Sequence, residues 1–475
     1  MKHLIAKLSG IDFRKWAIVS LFILWTSTTF SIAIMEIAFV TTLVFWGLLH
    51  LKERRFFSTK IDWVFWGPLA LFFLFVGVSY VMSEYPKESF RGLFKIAKPL
   101  LAFIMVSEFF AEEKTKKNFE LVFAGTFVLV AIDSTIQYIF GKDFLRFFPA
   151  QVSGAGLRLV GPFGDFGIMG CYLITVIPIF GMCFFSQFKN LVLRKKSFYC
   201  LALAIVGFVL LYLTRTRGAM LALLLSIFLL FIYKRWFRML ALGLGLFLVL
   251  LSFTPRSMIL HLDAHAKEQS ISERLVLWNR AIDVIRKKPV TGTGINTYNK
   301  AHAKYDTRQK KNLLPVREPA YQIRQNADGS VSFLGDSTIY TSDTQQKTIF
   351  MGSTRYNLSR DSTGNYFLYN DLVVRGYYAH NGYLQLAAEI GLPGIFCFLL
   401  FLVLYFRKTL TNIKKLGSDP EAYLQLGMLT GLLAFLIYAS ADTGLQSPQP
   451  LMGFWYMAGV LLARQSTRQN QTVLS

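Results

Sequence analysis

Runs of about twenty residues with few charges recur along the chain, each long enough to cross roughly 30 Å of hydrocarbon as a helix. Composition points the same way. Hydrophobic residues make up 53% of the 475, Phe alone occurs 45 times, and the mean hydropathy is +0.42, too apolar for a soluble globular chain. The expected fold is an all-α polytopic membrane protein with about twelve transmembrane helices, a large extracytoplasmic loop containing a helix, and a small β-rich part. The spans read as 14–30, 33–50, 63–82, 92–110, 119–140, 163–186, 197–214, 218–233, 238–254, 382–406, 422–440 and 449–464. The first two are separated only by the polar interruption Trp25 to Ser31.

A formal net charge of +23 would suit nucleic acid, but its placement argues against that partner. Much of it lies in short clusters beside apolar runs: "KERR" at 52–55, "RKK" at 194–196, "YKRWFR" at 233–238 and "RK" at 407–408. Such clusters set topology and contact anionic head groups of membrane lipid. With the N-terminus inside, these clusters all fall on the cytoplasmic side, and both termini are expected there. The four cysteines, Cys171, Cys183, Cys200 and Cys397, all lie in apolar runs, so no disulfide framework supports the polar loop.

The opposite side then holds the unusual features. The chain divides into helices one to nine (1–254), an extracytoplasmic loop (255–380), which the resemblance given below would make periplasmic, and helices ten to twelve with a cytoplasmic tail (381–475). The loop begins with an amphipathic helix expected over 270–288, stopped by Pro289 and the Gly-rich "TGTG" at 291–294. A β-patterned insert follows at about 305–370, with a hairpin expected around Asp328-Gly329 and a strand in "STGNYFLYN".

Several cations sit on the side the topology rule would keep poor in them. Arg215 and Arg217 occupy "TRTRG", the tight turn between spans seven and eight; Arg158 precedes span six. Arg91, Lys95 and Lys98 flank the outer start of span four, and Arg274, Arg280 and Arg286 lie along the loop helix. An arginine at the hydrocarbon edge is costly unless it snorkels or meets an anion. Guanidinium forks on one fixed turn suit bidentate phosphate recognition, and a lipid-linked diphosphate would present its head group at this depth.

His380, in "YYAHNGYLQLAAEIGLPG", stands where the loop re-enters the membrane. Asn381 reads as the cap of the next helix, whose start would aim free N–H groups and positive dipole at the same vestibule as the arginines. His3 and His50 lie on the inner side, and His261, His265 and His302 in the loop. Glu36, Asp133, Glu389 and Asp442 read as helix-packing or solvated carboxylates, with no spacing that suggests a metal site or a nucleotide cradle.

Three motifs in order resemble the O-antigen ligase and Wzy-polymerase superfamily of bacterial membrane glycosyltransferases. "LTRTRGAMLALL" looks like the family's arginine turn, with Arg217-Gly218 at the matching position. "SERLVLWNRAIDVIRKKPVTGTG" is similar to its R-x3-W followed by Pro and G-x-G, pointing to Arg274 and Trp278. "AHNGYLQLAAEIGLPG" fits H-N-x9-G-x-x-G, with His380, Asn381, Gly391 and Gly394. The resemblance implies inverting, metal-independent glycan transfer from undecaprenyl diphosphate to an acceptor hydroxyl on the periplasmic face of the bacterial inner membrane, with no cofactor. The acceptor would be lipid A-core or a growing glycan. His380 would act as base, with Arg215, Arg217 and Arg274 on the diphosphate and Arg91, Lys95 and Arg158 as further candidates; Asn381 and Trp278 would support them. The insert departs from the family pattern and leaves acceptor choice open, so a Wzy-type polymerase or an O-linking oligosaccharyltransferase are alternatives. A lipid-linked glycan flippase or transporter is the alternative of a different class; it would place polar groups near mid-bilayer, whereas here the charges gather at one face.

Overall fold

A computed structural model describes residues 12–53, 62–153, 156–187, 194–238, 264–305, 322–325, 331–334, 348–351, 354–360, 366–370 and 378–466. Its helices are α1 (Phe13–Ser27), α2 (Ile32–Glu53), α3 (Trp63–Val81), α4 (Pro86–Phe109), α5 (Glu113–Phe140), α6 (Phe166–Gln187), α7 (Arg194–Thr214), α8 (Arg217–Tyr233), α9 (Ala264–Lys287), α10 (Tyr298–Tyr305), α11 (Gly382–Leu416), α12 (Pro420–Ala439) and α13 (Pro448–Ser466). Eleven of the expected spans coincide with these helices. The ninth, 238–254, lies outside the described residues from 239 onward, as do His3 and His261. By length and composition, seven of the described helices (α2, α3, α5, α6, α7, α11 and α12) are long and apolar enough to cross a membrane, and α8 is a shorter apolar helix. The chain is a helical, multi-pass membrane protein.

The polar interruption after span one is a helix end. Thr28 and Thr29 turn their hydroxyls onto the carbonyls of Trp25 and Thr26, each at 2.7 Å, so the last turn of α1 is satisfied without further helix. Packing between helices relies on aromatic interlocking and on small residues. Trp25 of α1 meets Phe119 and Phe123 of α5 and Tyr456 of α13, with ring centroids 5.7, 5.5 and 5.3 Å apart. Along α12, Gly427 and Gly431 form a G-x-x-x-G stripe laid on the backbone of α6; a Cβ at Gly431 would stand 2.1 Å from the Thr175 carbonyl oxygen. Lipid tails offer helices no hydrophobic reason to associate, so close backbone approach through glycine carries this contact.

At one end of the bundle Arg464, its side chain 2% exposed, reaches Glu421 at 2.7 Å and Glu120 at 2.6 Å, clamping the end of α13 to the starts of α12 and α5. The other end is capped by α9 and α10. The amphipathic helix ends at Lys287, one turn before the Gly-rich stretch, and buries Ala281 and Val284 against Tyr298, Ala379 and Ala388.

Helix α11 is broken. Gly391 is non-helical (φ 80, ψ 168) and Pro393 follows two residues later. Proline has no N–H, and its ring excludes the carbonyl four residues earlier, here that of Glu389. The freed groups are all taken up by the neighbouring loop: Thr293 N–H donates to the Ala388 carbonyl and Gly294 N–H to the Glu389 carbonyl, both at 3.0 Å, while Leu392 N–H donates to the Pro289 carbonyl at 2.7 Å. The "TGTG" stretch is therefore a docking loop as well as a helix stop.

Beyond α10 lie short antiparallel strands: β3 (Gln322–Gln325) with β4 (Val331–Leu334), and a sheet of β5 (Thr348–Met351), β6 (Thr354–Arg360) and β7 (Tyr366–Asn370) in that order. A separate hairpin, β1 (Gln151–Ser153) with β2 (Gly156–Arg158), ends at one of the candidate arginines. Gly431→Ala is expected to lower stability by ~2–3 kcal/mol through overpacking against Thr175. Gly181→Ala in α6, where nothing lies within 4 Å, should cost nothing; thermal unfolding midpoints in detergent compare the two.

Candidate functional site

Three helices begin at one place. The first turns of α6, α8 and α11 and the α12–α13 turn share contacts: Thr216 Oγ1 donates to the Phe166 carbonyl at 3.2 Å, and Gln446 Nε2 to the Gly382 carbonyl at 3.1 Å. A Cβ at Gly167 would meet Asp165, Asp442 and Tyr438, each within 3.4 Å. Each helix start directs the positive end of its dipole toward this junction.

The arginine turn supplies full charges. Arg215 has a left-handed backbone (φ 55), the conformation needed to end α7 and start α8 within two residues. Arg215 is half-buried and Arg217 exposed. Arg158 braces them from β2: its guanidinium lies 3.5 Å from the Phe166 ring centroid, Nε donates to the Thr214 carbonyl at 3.3 Å, and Nη2 to the Arg215 carbonyl at 3.4 Å. Burial, and then the like charge of Arg215, holds the Arg158 pKa below the usual arginine value, with Asp165 opposing and Arg217 adding to the repulsion. Three guanidiniums under mutual repulsion form a site that an anion would relieve.

His380 stands across the junction, also with a left-handed backbone (φ 46). Strained backbone of this kind at a non-glycine residue concentrates where surrounding contacts over-determine the geometry. Here the contacts are identifiable. Asn381 caps α11, its Oδ1 accepting from Tyr383 N–H at 3.1 Å and Leu384 N–H at 3.0 Å. Trp278 of α9 donates its indole N–H to the His380 carbonyl at 3.3 Å. The imidazole Nδ1 faces Asp442 Oδ1 at 3.7 Å, within ion-pair range, and Tyr438 donates its hydroxyl to the other carboxylate oxygen. Asp442 was expected to be a packing or solvated carboxylate, and is instead the partner of His380. Burial opposes its ionisation, but the imidazole and the Tyr438 hydroxyl outweigh it, so the carboxyl titrates below its usual range. A carboxylate on Nδ1 fixes ring orientation and leaves Nε2 free to take a proton. The signal available in the sequence was position alone: Asp442 lies in the short turn after span eleven, on the side assigned to His380.

The remaining candidates separate. Arg274 is half-buried on α9, one turn before Trp278. Arg91 is exposed on α4, beside Glu88. Lys95 points elsewhere, donating to Asn296 Oδ1 at 3.1 Å in a buried group that includes Glu389. Lys98 pairs with Glu36 at 2.5 Å. Among the described residues no three His, Cys, Asp or Glu side chains gather as a metal-binding group.

A family model described as O-antigen ligase matches residues 202–320. That stretch contains the arginine turn, Arg274, Trp278 and the docking loop; His380 and Asp442 lie beyond it. The match is a similarity to that family over this stretch, and it supports a membrane glycosyltransferase of ligase or polymerase type. A comparison with curated proteins gives no match.

Because the Asp442 carboxyl is held below its ordinary value in the fold, it stabilises at neutral pH, and that contribution is lost as pH falls below about 4. Asp442→Asn should therefore cost about 1–2 kcal/mol at pH 7. The gap from wild type should narrow as the pH drops below about 4, read from unfolding midpoints across pH.

Proposed function

We propose that the protein transfers a glycan from undecaprenyl diphosphate to an acceptor hydroxyl, with lipid A-core as the acceptor, at the periplasmic face of the bacterial inner membrane. The twelve-span topology with both termini cytoplasmic belongs to this reading, since it puts the His380 end outside. The observation that carries it is the pairing of His380 with Asp442 opposite a braced group of arginines, at a level where helices begin.

The chemistry follows from that arrangement. His380 Nε2 removes the acceptor hydroxyl proton, and the oxygen attacks the anomeric carbon from the face opposite the diphosphate. The carbon–oxygen bond to the diphosphate breaks, the electron pair leaves with it, and the anomeric centre inverts. Asp442 stabilises the imidazolium formed. Arg215, Arg217 and Arg274 meet the charge developing on the leaving group, where fixed donors are worth most. Arg158, engaged with the carbonyls of the turn, keeps Arg215 and Arg217 in place, and Lys95 acts through the buried group around Glu389. Arg91, exposed on α4, is the remaining candidate for an approaching diphosphate. Outside the inner membrane there are no nucleotide sugars, so activation must arrive attached to lipid; the reading needs no cofactor.

The polymerase reading uses the same site with a growing glycan as acceptor. It is kept because residues 306–377 enter the chain between α10 and His380, where a loop above the site would choose the acceptor. A deletion strain separates the two. Polymer missing from lipid A-core while lipid-linked polymer accumulates marks a ligase, and core bearing a single repeat marks a polymerase.

In reconstituted transfer of a lipid-linked glycan to lipid A-core, His380→Ala is expected to abolish turnover while inserting normally. Arg217→Ala should reduce it by ~10²–10³, and a chelator should leave wild-type rates unchanged. Near wild-type transfer by His380→Ala would rule out its role as base.

A further inference from the structure

Glu389 is 3% exposed and sits two turns into α11, yet it is surrounded by donors. Its Oε2 accepts Asn296 N–H at 2.8 Å; its Oε1 accepts Tyr298 N–H at 3.3 Å and Gln385 Nε2 at 3.2 Å. Lys95, hydrogen-bonded to Asn296, supplies the nearby positive charge. A carboxylate this deep is expensive unless every lone pair is used and a cation is near. Here three donors and one nearby cation offset that cost.

The partners continue in two directions and meet again at the base. Gln385, bonded to Glu389 through its nitrogen, accepts Ala379 N–H at 3.2 Å through its oxygen, which reaches the residue before His380. Tyr298, bonded to Glu389 through its backbone, donates its hydroxyl to the Leu277 carbonyl at 3.4 Å. The next residue, Trp278, donates to the His380 carbonyl. The result is a closed ring of hydrogen bonds from Glu389 through the docking loop and α9 to His380, and back through Ala379 and Gln385. Arg274 rides on the same α9, one turn upstream of Trp278.

We infer that Glu389 is a positioning residue: its two carboxyl oxygens lock the 289–298 loop into the break of α11 and thereby fix α9, with Arg274 and Trp278, against the left-handed turn that holds His380. The inference rests on the reading of His380 as base. Two accepting oxygens, and not only volume, are required. An amide at this position presents an NH2 where one oxygen now accepts, so at least one of the three donors loses its acceptor. Docking then loosens, and His380 and Arg274 drift relative to each other, although neither is altered.

The test is Glu389→Gln, with Gln385→Met as a second variant that leaves the loop bonded to Glu389 but cuts the path to Ala379. Each is measured in the full-length protein in detergent or nanodiscs, with kcat expressed per mole of folded, monodisperse enzyme, and with amide hydrogen exchange followed by mass spectrometry. Glu389→Gln should lower kcat by roughly 10–100-fold while exchange rises selectively over 291–298 and 378–386. Gln385→Met should raise exchange at 378–386 alone, with a smaller loss of kcat. An unchanged kcat per folded molecule, or exchange rising equally through all helices, would overturn the inference, since a merely structural residue changes only how much protein folds. The exchange measurement needs no turnover. If His380→Ala retained transfer, the assignment of the base would fall while the coupling of loop and His380 was still decided by exchange.

Discussion

The break in α11 is the constraint from which the rest of the upper bundle follows. Pro393 leaves the Glu389 carbonyl without its helical donor, and the turn at Gly391 strands the Ala388 carbonyl and the Leu392 N–H as well. Unpaired backbone groups at such depth are tolerated only when another part of the protein satisfies them. The 289–294 loop does so with three backbone hydrogen bonds, and Ser79 of α3 adds a fourth, to the Glu389 carbonyl at 2.6 Å. A helix that would otherwise run straight past the loop is thereby made to hold it. The close approach leaves no room for side chains: a Cβ at Gly292 would lie 2.2 Å from the Glu389 carbonyl oxygen, and one at Gly391 would lie 2.0 Å from that of Val290.

With the loop held, α9 lies over the mouth of the bundle and its indole reaches the His380 carbonyl. A second consequence concerns electrostatics. α6, α8 and α11 start at the same level, so their dipoles add to the charge of Arg158, Arg215 and Arg217 rather than cancel it. The carboxylates present, Asp165 and Asp442, are tied to a helix start and to His380 respectively, which leaves the arginine side of the junction positive. An anionic leaving group on one side and a carboxylate-backed imidazole on the other is a division of charge that suits displacement at carbon.

Much of this was legible in the sequence because bilayer thickness and helix rise are fixed lengths. Apolar runs gave the helix positions, Asn381 its cap, and Pro289 with Gly292 and Gly294 the end of α9. Local chemistry also singled out His380 and the "TRTRG" turn, and the family resemblance pointed to Trp278. What was not legible depended on distant pairing. Asp442 is 62 positions from His380, and no spacing rule connects a turn carboxylate to a loop histidine. Lys95 looked like a member of the arginine group because it shares their side and charge, but α4 turns it toward Asn296.

By itself the sequence determined that helices form, roughly where they start and stop, and which ends collect cations, since those follow from transfer free energies and backbone geometry acting over a few turns. Only the tertiary structure decided which polar groups face one another. That Glu389 holds a loop, that Arg158 braces an arginine turn, and that Asp442 faces His380 are set by the order in which helices pack around a broken one. Hydrogen bonds require atoms within about 3 Å, and the chain reaches that distance only after the bundle has closed.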